Sequence, residues 1–222
     1  MAQLLYERHS TNVHLNIAKR HIRLARQFKG AEELVTVIEP FCKELETRVS
    51  FTRNASDETE CKRDLLALAD ALLDDKVRDL NEACKKYDRD HPGLPVTALL
   101  FPEGISPVIY APVKTEPTLV EKLIIAIQSL GPGHPLVEHT WNLRQAADNC
   151  KTAIGELNAA ITAQKTAEAF EAIAKVNLTR QYEQNIHMAG SKFGKTFANR
   201  LFPQITSHIK DETDDQSAKT VQ

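Results

Sequence analysis

Eight of the ten prolines fall between Pro92 and Pro135, in company with four of the eight glycines, Gly93, Gly104, Gly131 and Gly133. Proline lacks a backbone donor and its ring crowds the preceding turn, so no long helix or central strand can run through such a stretch. The cluster divides the chain into two long arms, and in each arm the apolar residues recur at helical spacing. A first helix is expected over about 12–29, with Leu15, Ala18, Ile22 and Ala25 on one stripe. A second is expected over about 31–53, kinked at Pro40, and a third over about 57–89, opened by a capping box of Asp57 and Glu60. Beyond the crossover, Thr118 and Glu121 read as another capping box, ahead of a short helix near 118–130. Pro135 suits the first turn of a helix over about 135–161, and a last helix is expected over about 166–190. "SPVIYAPV", 106–113, is the one stretch with strand-like character.

The third and the last of these segments resemble each other. A shift of 101 positions, without a gap, lays Leu68, Ala71, Leu72, Val77 and Glu82 on Ala169, Ala172, Ile173, Leu178 and Glu183. It also lays Gly93 on Gly194 and Leu100-Phe101-Pro102 on Leu201-Phe202-Pro203. The pattern reads as a duplicated helical hairpin, each copy closed by glycine and then by an apolar pair that covers the end of a core. Two such hairpins must pack together to bury their apolar faces, because neither can do so alone. The expected fold is therefore all-α: an elongated four-helix bundle from two pseudo-repeated antiparallel hairpins, with an N-terminal helix and a proline-rich crossover carrying a short helix. In these terms 1–30 is a basic amphipathic helix, 31–103 the first hairpin, 104–134 the crossover, 135–208 the second hairpin and 209–222 a polar, disordered tail, all within one structural domain.

Net charge is −2 over 222 residues, which gives no general attraction to polyanions. Charge is nevertheless uneven, since Arg8, Lys19, Arg20, Arg23, Arg26 and Lys29 face only Glu7 within residues 1–30. No apolar run approaches the roughly 20 residues that cross a bilayer, and the N-terminus lacks the pattern of a signal peptide. The four cysteines, Cys42, Cys61, Cys84 and Cys150, show no Cys-x-x-Cys spacing, which fits free thiols in a cytoplasmic setting.

Ala189–Thr196 formally fits a phosphate-binding loop, but such a loop needs a preceding strand so that backbone amides converge on the anion. A long helical pattern precedes it here, so the match is read as a false positive and no nucleotide site is assigned. Metal chemistry in a bundle core draws on Glu-x-x-His pairs, and the chain contains none. His14 and His21, seven apart, share a helix face and are read either as bordering the core or as titrating without consequence, with no metal or other cofactor. No nucleophile elbow is present, and nothing lowers a cysteine pKa. These absences point away from an enzyme and towards a binding or scaffold protein acting on a protein partner or on itself. Binding candidates are Lys19, Arg20, Arg23 and Arg26 on the first helix and Trp141, the sole tryptophan, as a contact anchor. One alternative is an adaptor for nucleic acid or an anionic membrane working through residues 8–29. Another is a bundle that holds a metal or small ligand in its core.

Overall fold

The computed structural model describes residues 4–6 and 8–202, and among these it contains helices, turns and bends but no strand. Helix α1 spans Thr11–Ala25, α2 Glu32–Asp90, α3 Val96–Leu100, α4 Ser106–Ile109, α5 Glu116–Ser129, α6 His139–Phe193 and α7 Lys195–Leu201, with a 3-10 turn at Pro135–Glu138 leading into α6. The chain is thus an all-α, helical-bundle protein. Pro203 and the expected tail lie outside the described residues.

Two long helices replace the two expected hairpins. α2 continues without a break through 54–56, and α6 through 162–165. Between Pro40 and Pro92 there is neither proline nor glycine to end a helix. A capping box stabilises an end that other residues create, so Asp57 and Glu60 become part of an uninterrupted helical surface. Ion pairs along that surface, Glu58–Lys62 at 3.5 Å and Glu60–Arg63, support it from the side. In α6 the hydroxyls of Thr162 and Thr166 donate back to the carbonyls of Asn158 and Thr162, each at 2.9 Å, and so remain within the helix. α2 also continues through Pro40, at the loss of the one backbone donor that proline lacks.

Three further expectations are corrected. α1 stops at Ala25, where Gln27 and Phe28 turn back to the carbonyls of Leu24 and Ala25 at 3.1 Å. α5 starts at Glu116 with Pro117 in its first turn, so Thr118 lies inside the helix and cannot cap it. The strand-like segment forms the single helical turn α4, because Pro107 preorganises a helix start better than it fits a ladder.

The chain divides into two compact units. One takes the described residues up to Phe51 and those from Glu168 onwards, and the other takes Thr52–Ala167. In the first unit, Ala18, Ile22 and Ala25 of α1 pack with Leu34, Ile38, Cys42 and Leu45 of α2, Leu178 and Tyr182 of α6, and Leu201-Phe202 at the end of α7. The long helices are antiparallel there. Glu33 meets Lys192 at 3.5 Å near one end, and the Arg48 guanidinium lies 5.2 Å from the centre of the Phe170 ring near the other. In the second unit, Leu73, Val77, Leu80 and Cys84 of α2 pack with Val120, Ile124 and Ile127 of α5 and with Leu143, Ala147 and Cys150 of α6. Leu100 and Phe101 close that core, and a Lys62–Glu156 bond at 3.0 Å joins the long helices.

The same burial rhythm appears in both units at an offset of 101 or 102 positions. α1 buries His14, Leu15, Ala18, His21, Ile22 and Ala25, and α5 buries Glu116, Pro117, Val120, Leu123, Ile124 and Ile127, each 102 positions later. Leu73, Val77, Asn81 and Cys84 of α2 are buried, as are Ala174, Leu178, Tyr182 and Asn185 of α6, each 101 positions later. Gly30 and Gly131, which precede the long helices, and Gly93 and Gly194, which follow them, all have positive φ. Leu100-Phe101 and Leu201-Phe202 are buried alike.

Candidate functional site

The basic residues of α1 divide into two sets. Lys19 forms an ion pair with Glu46, and Arg26 reaches Glu39 at 3.2 Å, where Lys43 also bonds at 3.0 Å. These contacts line a shallow groove of about 200 Å³ between α1 and α2. Arg20 and Arg23 are exposed. Two of the four candidate cations therefore serve to join α1 to the acidic face of α2, and two face solvent. Trp141, in the first turn of α6 and in the other unit, is 67% exposed.

His21 lies in a buried polar network. A ring nitrogen facing a carbonyl must donate, so Nδ1–H bonds the Leu201 carbonyl at 2.9 Å and Nε2 is left as an acceptor. Asn185 supplies the matching donor through Nδ2 at 3.1 Å. The same amide donates to the Leu34 carbonyl at 2.8 Å, and its Oδ1 accepts from Gln181 Nε2 at 3.1 Å. The imidazole stacks on Phe202, with ring centres 4.1 Å apart, and meets the edge of Tyr182. Burial lowers the His21 pKa and keeps the ring neutral. With both nitrogens engaged, the network locks α1, α2, α6 and α7 together and leaves no free base for chemistry. Among the described residues no group of three ligands has the geometry to hold a metal.

His14 is also buried, but only half satisfied. Its Nδ1 donates to the Ser10 carbonyl at 3.0 Å, while Nε2 has no partner. Burial lowers its pKa first, and Lys175 and His9 add to the effect. A groove of about 450 Å³ runs beside it, lined by Lys175, Thr179, Arg180 and Glu183 of α6.

At the corresponding place in the second unit stands a carboxyl group. Glu116, the first residue of α5, is 1% exposed, and its Oε1 has no hydrogen-bond partner. Asp70 and Asp74 of α2 stand within hydrogen-bonding reach, and Asp74 Oδ1 is likewise buried without a partner. Arg78 holds the other Asp74 oxygen at 3.0 Å. Burial, then Asp70 and Asp74, raise the Glu116 pKa to about 8, against the favourable dipole at a helix N-terminus. Cys150 faces the same cluster, and burial together with Asp70 and Glu116 pushes its thiol up to about 11. Sequence reasoning missed Glu116 because it placed the residue in the crossover. The available signal was the burial rhythm of α1, which puts a helix-core position there when moved along by 102.

The stretch resembling a phosphate loop is helical from Ala189 to Phe193, and Ala189 is buried. Gly194, with φ of 78°, ends that helix, and Lys195 and Thr196 open α7. Cys42, Cys84 and Cys150 are buried free thiols and Cys61 is an exposed one. No helix among the described residues is long and apolar enough to cross a membrane. No family model, no curated protein and no solved structure matches the chain.

Proposed function

We propose that the protein is a non-enzymatic helical-bundle binding or scaffold protein whose first partner is a second copy of itself. The observation that carries this reading is an apolar stripe left open on α2. Leu65, Leu68 and Leu72 recur at helical spacing and are 44–58% exposed, while the opposite face of the same turns feeds the core. With Asn142, Gln145 and Asn149 of α6 they line a groove of about 290 Å³. A leucine row beside amide side chains suits an amphipathic helix, and α2 itself offers such a helix to a second chain. On α6, Phe170 and Ile173 form a comparable exposed pair, placed 101 positions after Ala69 and Leu72.

The matching burial rhythms and glycines support a finer reading, in which the chain is a tandem duplication. Each copy would run from a short amphipathic helix through glycine, a long helix and a second glycine to a short helix ending in Leu-Phe. The repeating module is then wider than a hairpin, and each compact unit draws half of its long helices from each copy.

Sedimentation of the full chain over a range of concentrations tests the scaffold reading. A mass above the monomer that falls to the monomer in Leu68→Glu/Leu72→Glu supports it, and a monomer at every concentration overturns self-association. The adaptor reading draws support from the exposed Arg20 and Arg23 but has Lys19 and Arg26 already paired. Salt-dependent binding to duplex DNA or anionic vesicles, lost in Arg20→Glu/Arg23→Glu, would favour it.

A further inference from the structure

Two buried oxygens in the second unit, Glu116 Oε1 and Asp74 Oδ1, lack partners at the same place. Both are acceptors when their carboxyls are ionised, so nothing within the protein can bond them to each other. One added proton removes both defects at once, because a Glu116 hydroxyl donates to Asp74 and satisfies an oxygen on each side. The placement selects Glu116 as its carrier. Asp74 has the Arg78 guanidinium on its other oxygen at 3.0 Å, whereas Glu116 is buried with no cation against it. A metal is a poorer occupant, since no three carboxylates among the described residues converge with ligand geometry.

We propose that Glu116, Asp70 and Asp74 form a proton-holding latch: a proton on Glu116 fastens the first turn of α5 to α2, and its loss releases that turn.

The groups around the latch are few. α2 contributes Asp70 and Asp74, with Arg78 on the latter, and α6 contributes the protonated thiol of Cys150. Lys151 of α6 is engaged with Glu121 and Asp148. α3 and α4 contain no ionisable side chain, and Lys114, just before α5, is exposed. Deprotonating Glu116 therefore places a third negative charge beside two others in a partly closed site, with only Arg78 to offset them. The first turn of α5 is the part able to yield, since it follows the short turns at 110–115 whereas α2 is held along both flanks. This latch does not depend on self-association, and its failure would leave the scaffold reading untouched.

Infrared spectroscopy of the full chain at pH 7 tests the proton directly. A protonated-carboxyl carbonyl band that disappears at alkaline pH and is absent in Glu116→Gln is expected. Hydrogen exchange, corrected for intrinsic rates, tests the release. Protection of the amides of Glu116, Thr118, Leu119 and Val120 should fall with rising pH, by at most about tenfold per unit for one proton, and reach its floor near the Glu116 pKa. Glu116→Gln keeps the donor and cannot ionise, so its protection should be flat over the same range. Asp70→Asn removes one of the repelling charges and should move the wild-type transition to lower pH. A wild-type chain without the protonated band at pH 7, or an Asp70→Asn transition that stays in place, would overturn the latch.

Discussion

Tyr182 and Asn185 are neighbours on one buried stripe of α6 and depend on the core in opposite ways. Asn185 makes three hydrogen bonds, to His21, Leu34 and Gln181, whereas the Tyr182 hydroxyl is buried without any. An unmade bond costs more than a made one contributes, because the polar atom has given up water and received nothing. Asn185→Ala should therefore cost about 2–3 kcal/mol in urea unfolding, since it orphans His21 Nε2 and removes the buried bond to the Leu34 carbonyl. Tyr182→Phe should leave stability unchanged or raise it by up to about 1 kcal/mol, because only the unpaired hydroxyl is removed. A loss above about 1 kcal/mol on Tyr182→Phe would mean that the hydroxyl has a partner. Neither role was legible in the sequence. The shared helix face of His14 and His21 left them either at the core border or in solvent, and both are buried; the partners of His21 lie more than 150 residues away, and local spacing carries no trace of them.

On the scale of helices, glycine has two opposite meanings in this chain. Gly155 sits within α6 and an added Cβ would meet no atom within 4 Å, so Gly155→Ala should raise the unfolding free energy by about 1 kcal/mol through backbone entropy. Gly131 has φ of 104°, a conformation that L-residues adopt at a cost, and its surroundings are equally open. Gly131→Ala should thus lose about 1–2 kcal/mol from backbone strain alone. Thermal unfolding of the two variants against the parent checks both signs. The contrast also explains what the sequence revealed of the elements. Helical periodicity marked α1, α2 and α6 correctly, because a buried stripe must repeat at the helical period whatever lies beyond it. The breaks were misplaced because Asp57-x-x-Glu60 and the polar run after Ile161 look like termini. A terminus needs a residue that stops the helix, and proline or glycine supplies that only at the arms' outer ends. Glu116 escaped for the same reason, since the threonine box beyond it drew the helix start two residues too late.

Across the whole chain, the two units should respond to pH with opposite sign. In the first, burial lowers the pKa of His14 and His21, so the unfolded chain takes up protons near pH 6.5 while the folded unit still refuses them. That stability is present above the ordinary histidine value and is lost as pH falls through the lowered folded values. In the second unit the Glu116 pKa rises from 4.5 to about 8, so the folded unit keeps a proton that the unfolded chain has released. That contribution is complete below 4.5 and is lost as pH rises to about 8. Asp88 does not obscure the contrast: its hydrogen bonds to Thr97 and Val96 hold its pKa below the ordinary range, so it acts only in stronger acid. Hydrogen exchange at a series of pH values between 5 and 9, corrected for intrinsic rates, separates the units by peptide. Core peptides of α1 should lose protection towards pH 5, and those of α5 towards pH 9. Replacing Glu116 by Gln should abolish the second trend and leave the first. Parallel trends in α1 and α5 would show that the His14 and Glu116 positions, matched in burial, are not opposed in charge behaviour.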